Sequence, residues 1–314
     1  MDNLIFSLNV TIPIFLMMCI GLVLKKLKLF DDRFVSVANK FVFQIALPAL
    51  LFLDIGTADF HDVWDSKFVL FCFFATLLSI LAMILVSYLF HDRSIQGEFV
   101  QSAYRSSAAL LGIAFIQNIY GNSGMGPLMI IASVPLYNIM AVVVLNLLKP
   151  DRGKLNRATL IQTLKGIATN PIILGICAGL IWSVFQLPMP VILSKTASNL
   201  ASLATPLGLM AMGASFEWKK ALEKRKPAVI CSTFKLVVFC AVFLPVAVWL
   251  GFRTQALIAI LVMLGSPTTV SCFIMAKNMG HEGTLSSSVI MITTLFSAFT
   301  LTFWLYLLKS MALI

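Results

Sequence analysis

Charge is scarce in this chain. Asp, Glu, Lys and Arg make up 11% of its 314 residues, against about 25% in a soluble domain. Hydrophobic residues make up 60%, at a mean hydropathy of +0.97, which excludes a soluble globular protein. Histidine is scarcer still: His61, His91 and His281 lie far apart, and no HExxH, GxSxG or P-loop spacing occurs. Cys19, Cys72, Cys177, Cys231, Cys240 and Cys272 fall in apolar stretches without CxxC spacing, so they read as small core fillers, not as disulfides or metal ligands. With no reactive cluster, the sequence predicts no enzyme, no metal and no cofactor.

The most telling scarcity is of acid inside the apolar stretches. All thirteen carboxylates fall in loops or near the ends of those stretches. A cation or proton antiporter needs an intramembrane carboxylate to exchange its ions, and none stands near a centre. Asp54 and Asp65 are placed to serve at most at an outer vestibule.

What the chain does have is apolar length. A bilayer-spanning helix needs about 20 mostly apolar residues, and ten such stretches occur, near 4–24, 34–55, 67–90, 97–120, 127–148, 160–185, 190–216, 227–250, 254–279 and 285–308. The links are short and leave no room for a soluble domain. The formal charge of +10 is unevenly spread: sixteen Lys and Arg lie in the loops after spans 1, 3, 5, 7 and 9, and four (Lys67, Lys195, Arg253, Lys309) lie on the other side. The excess of basic residues marks cytoplasmic loops, so it sets topology and does not describe a nucleic-acid surface. Both termini are expected outside the cytoplasm, and the first stretch is expected to be a span and not a cleaved signal.

Proline carries a second pattern. Comparing residue n with residue n + 158 pairs Pro13 with Pro171, Cys19 with Cys177, Gly21 with Gly179, Ser36 with Ser194 and Pro48 with Pro206, without a gap. This predicts an internal repeat, residues 1–150 and 151–314, with five spans in each half. Five is odd, so the second half enters from the opposite side and the repeat is inverted, an architecture of secondary transporters.

Span 9 contains LGSPTTVSCFIMAKNMG, residues 264–280. Proline in a helix interior removes a donor and costs about 3 kcal/mol, so a break is predicted around Ser266, Pro267, Thr268 and Thr269. An offset of 159 sets this stretch opposite Ser106 and Ser107 of span 4. Unwound backbone at membrane depth must be enclosed by protein or line a cavity. Half-helices starting there present N–H groups and positive dipole ends, which favour an anion. Apart from the cations already assigned to loops and span ends, three lie within spans: Lys40 near a cytoplasmic end where it can snorkel, Arg105 beside the span 4 break, and Lys235. Arg105 is read either as an anion contact or as a carbonyl cap, and Lys235 slightly more as structure than as a coupling or vestibule residue. Tyr137 and Asn138 of span 5 are candidate pocket-lining residues.

NKFVFQIALPALLF, YRSSAALLGIAF, PLYNIMAVVV, NPIILGICAGL, TPLGLMAMGASF and SPTTVSCFIMAKNMG together resemble the auxin efflux carrier family, over nearly the whole chain. The resemblance implies an all-α integral membrane fold of ten helices in a 5+5 inverted repeat, with interrupted helices 4 and 9 crossing. It implies a scaffold of spans 1, 2, 6 and 7, a transport domain of spans 3–5 and 8–10, elevator-type alternating access and a homodimer. Substrates of the family are small organic anions such as malate, malonate and auxin-like acids. The chain lacks the long cytoplasmic loop of many plant members, so a bacterial-type carrier of the inner membrane is the nearer likeness. Family members often carry asparagine where Ser107 stands, and some carry proline where Ser106 stands. The alternative function is a cation or proton antiporter on the same scaffold.

Overall fold

The computed structural model describes residues 2–57, 64–108, 124–149 and 168–314, together with 116, 119, 120, 165 and 166. These are all-helical, with no strand among the described residues. In chain order they form α1 (Asp2–Lys26), α2 (Asp32–Gly56), α3 (Ser66–Ser87), α4 (Gln96–Tyr104), α5 (Gly126–Leu147), α6 (Pro171–Val184), α7 (Val191–Ser202), α8 (Ala204–Ala214), α9 (Trp218–Glu223), α10 (Arg225–Trp249), α11 (Thr254–Gly265), α12 (Ser271–Asn278) and α13 (Thr284–Ser310). Five of them, α2, α3, α5, α10 and α13, are long and apolar enough to cross a membrane, and α6 and α11 are shorter apolar helices.

Helix ends follow local chemistry. Asp31, Asp65 and Asn170 accept from backbone N–H groups at the starts of α2, α3 and α6, satisfying donors that a helix start leaves free. Pro48 and Pro245 lie within long helices. Upstream of Pro48, α2 makes a π turn over Val42–Ala46, where the Leu47 N–H reaches back to Val42; α10 makes another over Phe234–Val238. The stretch expected as one span over 190–216 is instead two helices, α7 and α8, separated at Leu203.

Glycine sets the closest helix pairs. A Cβ on Gly21 of α1 would lie 2.1 Å from the Met210 carbonyl oxygen of α8, and one on Gly179 of α6 would lie 2.9 Å from the Phe52 carbonyl oxygen of α2. The two contacts are related by the same offset of 158 that pairs the prolines, since Gly21 maps to Gly179 and Phe52 to Met210. Small residues that let membrane helices approach backbone to backbone replace the hydrophobic driving force that lipid removes.

α4 and the α11–α12 pair sit innermost. Every residue of α4 is buried, as is every residue of α11 from Leu257 to Gly265. Around them, large apolar side chains such as Leu89, Ile192 and Trp249 are exposed, the outward face expected of helices that meet lipid. Glu98 lies in the first turn of α4, near a span end as expected, and is buried: its carboxylate accepts from Gly283 N–H (2.8 Å) and Ser286 N–H (2.9 Å), capping the start of α13. Of the cysteines, Cys177 is exposed, so it is not a core filler.

Candidate functional site

The break in span 9 begins with a missing donor. In a continuous helix the Met263 carbonyl would accept from the N–H of residue 267, but Pro267 has none. Helix α11 ends at Gly265, the stretch from Ser266 to Val270 is not α-helical, and α12 begins at Ser271. The Leu264 carbonyl also loses its helical partner, because Thr268 N–H turns to Thr293 Oγ1 at 3.1 Å.

Span 4 has no proline, yet α4 ends at Tyr104 and Arg105 to Ser107 are non-helical. Tertiary contacts hold that opening. Ser107 N–H donates to the Pro267 carbonyl at 2.9 Å, Thr268 Oγ1 donates to the Ser102 carbonyl at 2.8 Å, and Gln101 Nε2 donates to the Cys272 carbonyl at 2.9 Å. The two interrupted stretches therefore meet. The continuation of span 4 over 109–115 lies outside the described residues.

Arg105 lies at this meeting point, 2% exposed. Its guanidinium donates to Asn138 Oδ1 and Ser271 Oγ, both at 2.7 Å, with Gln101 Oε1 at 3.5 Å and Met275 Sδ at 2.7 Å. All are neutral, and its Nε–H has no partner among the described residues. Asn138 is held in turn by its own Nδ2 donating to the Val134 carbonyl. None of the ion pairs among the described residues includes Arg105 or Lys235. A buried charge without a counter-charge is costly, and here the residue that carries it lines a cavity.

Two adjoining cavities border the break. One is lined by Arg105, Ser106, Ser107, Tyr137, Asn138 and Thr269, with Asp54 on its wall. The other is lined by Ser107, Pro267, Thr268 and Thr269, with Val42, Leu47, Leu50, Ala204 and Thr205 opposite. Leu47, Leu50, Ser107, Thr269 and Ser271 border both. The first turn of α12 opens onto this space at Ser271, adding a positive dipole end to the guanidinium.

Of the residues expected from the sequence, the fold gathers Arg105, Ser106, Ser107, Tyr137, Asn138, Pro267, Thr268 and Thr269 around these cavities. Ser266 lies beside them with a buried Oγ that has no partner among the described residues, and it lines neither. Asp54, expected at an outer vestibule, shares a cavity with Arg105. Asp65 is the cap of α3, bonded to Lys67 N–H (2.9 Å) and Phe68 N–H (3.1 Å). Ser271 and Gln101 were not expected. Ser271 sits four residues beyond Pro267, where the resumed helix must start, and that spacing was the available signal; for Gln101 no local signal existed.

A family model described as "Membrane transport protein" matches residues 6–305. A protein of Rhizobium meliloti (strain 1021), described as "Putative malonate transporter", is similar to this chain at 27% identity over 325 aligned positions, 97% of each chain. The match runs over nearly the full length, and with the motifs of spans 2, 4, 5, 6, 7 and 9 it identifies a multi-pass membrane protein that belongs to the membrane transport protein family of auxin efflux carriers.

Proposed function

We propose that this chain is a secondary transporter of small organic anions, with carboxylates of the malonate and malate size as the first candidates. The observation that carries the reading is Arg105: a buried guanidinium with only neutral partners, one free N–H, and a cavity in front of it. Hydroxyls of Ser107, Thr269 and Ser271 and the dipole of α12 add donors suited to a carboxylate. The relative from Rhizobium meliloti supports the same substrate class through its name.

The mechanism we infer is alternating access of elevator type on a ten-helix, 5+5 inverted repeat divided into residues 1–150 and 151–314. Support comes from the symmetric Gly21–Met210 and Gly179–Phe52 contacts, which tie spans 1 and 7 and spans 2 and 6 into equivalent pairs. The cavities lie between those spans, at Leu47, Leu50 and Thr205, and the break at Pro267 to Ser271. A site at that boundary is where a domain sliding against a scaffold must carry its cargo. A homodimer in the bacterial inner membrane with both termini extracytoplasmic completes the proposal.

Uptake of labelled malonate, malate and indole-acetate into proteoliposomes, with and without imposed proton or sodium gradients, tests it. Saturable uptake of one acid is the expected result. Sodium-driven proton flux with no organic solute would overturn the anion reading and favour the antiporter alternative.

A further inference from the structure

Among the described residues Lys235 is the second fully buried cation, and it borders neither cavity. It lies within the π turn of α10, a local distortion frequently found where a side chain is re-aimed for function. Its Nζ donates to the Leu264 carbonyl at 2.8 Å and to Ser106 Oγ. Ser106 Oγ in turn donates to the Met263 carbonyl, which also accepts from the Tyr137 hydroxyl at 3.3 Å.

These acceptors have one origin. Pro267 and the turned Thr268 N–H free the carbonyls of Met263 and Leu264 at the C-terminal end of α11, where the helix dipole is negative. Half-helix C-termini with unwound carbonyls are the places where sodium-coupled transporters coordinate their cation. In this chain an ammonium on a covalent tether points into that group of oxygens.

We propose that the Lys235 ammonium is a built-in cation that takes the place of a coupling sodium ion at the crossing of the interrupted helices, and so makes the assembly of the site independent of sodium. The inference rests on the transporter reading but not on the identity of the transported acid. Arg105 and Lys235 then divide the work: Arg105 faces the cavity and the anion, whereas Lys235 neutralises the carbonyl end of α11 and holds Ser106 in place. Lys235 is a positioning residue, because it does not reach the cavity.

The test is thermal unfolding of the purified protein in sodium, potassium, ammonium or choline chloride at one ionic strength. Wild type is expected to melt at the same temperature in all four. Lys235→Ala leaves the oxygens and opens space beside them; it should melt lower in choline and regain Tm saturably with sodium or ammonium. Lys235→Met fills the same space without charge and should be destabilised with no cation response. Sodium stabilisation of wild type, or indifference of Lys235→Ala to every cation, would overturn the proposal. If Lys235→Ala does not survive extraction, Lys235→Ser takes the same titration with the same two outcomes. Because no organic acid is present, a failure of malonate uptake leaves this result independent.

Discussion

Ser107 donates its backbone N–H to the carbonyl of Pro267 at 2.9 Å. One bond joins the interrupted stretches of two helices 160 residues apart in sequence, and it satisfies a donor that the opening of span 4 exposes. Backbone groups freed in hydrocarbon must find partners inside the protein, so each break supplies what the other needs. The break in span 9 is local in origin, and the break in span 4 depends on it.

Pro267→Ala restores the N–H that Met263 lacks. The expected outcome is an α11 extended past Gly265, with loss of the Ser106 and Tyr137 contacts to the Met263 carbonyl and a large drop in initial uptake rate at normal expression. Full uptake by Pro267→Ala would mean that the opening of span 9 is not needed for the site.

Arg105→Gln keeps a polar side chain able to reach Asn138 and Ser271 but removes the charge. A hydrogen bond to a charged group contributes about 1.5–3 kcal/mol, so the KM for the transported carboxylate should rise roughly 10- to 100-fold. Expression and the melting temperature of the unliganded protein should change little, and an unaltered KM would refute the role of Arg105.

Gly21→Ala places a methyl group 2.1 Å from the Met210 carbonyl oxygen, and Gly179→Ala places one 2.9 Å from that of Phe52. Both neighbours are backbone and cannot turn away. Overpacking of this kind costs about 1–3 kcal/mol, with Gly21 the more severe. Gly166→Ala, whose nearest neighbour would be 3.8 Å away at the Asn146 side chain, is the control expected to be neutral. Melting temperatures in one detergent order the three.

Asp92 pairs with Lys224 at 2.7 Å between two loops on the basic side of the chain. The Lys224 hydrogen bond, and then the Ser94 hydroxyl, hold its carboxyl below the usual range. A carboxyl lowered on folding stabilises the protein above its unfolded pKa and loses that effect as pH falls through the folded value. The pair is exposed, so its contribution is below about 1 kcal/mol. The difference in melting temperature between wild type and Asp92→Asn should therefore be constant above about pH 5 and shrink toward pH 3. A difference that grows on acidification would contradict the assignment.

Much of the candidate site was legible because it depends on local covalent facts. Proline lacks an N–H wherever it stands, so Pro267 announces an interruption near itself. The depth of Arg105 and Lys235 follows from counting along apolar stretches. Asp54 was harder to place. Its position near the end of a span was readable, but the cavity it shares with Arg105 exists only where α2 packs beside the break. Gln101 was missed for the same reason, since it gains its role from a partner more than a hundred residues away, whereas Ser271 was readable from its spacing to Pro267.

The sequence by itself determined the membrane environment, the uneven spread of the basic loops, the repeated prolines and the opening of span 9. Each is set by composition or by a bond that one residue can or cannot make. Only the tertiary structure decided that span 4 opens without proline, that the freed Met263 and Leu264 carbonyls meet Ser106, Tyr137 and Lys235, and that Arg105 lines a cavity beside them. A helix can be broken by its own chemistry, but in a medium without water the broken ends are satisfied only by groups that folding brings from elsewhere.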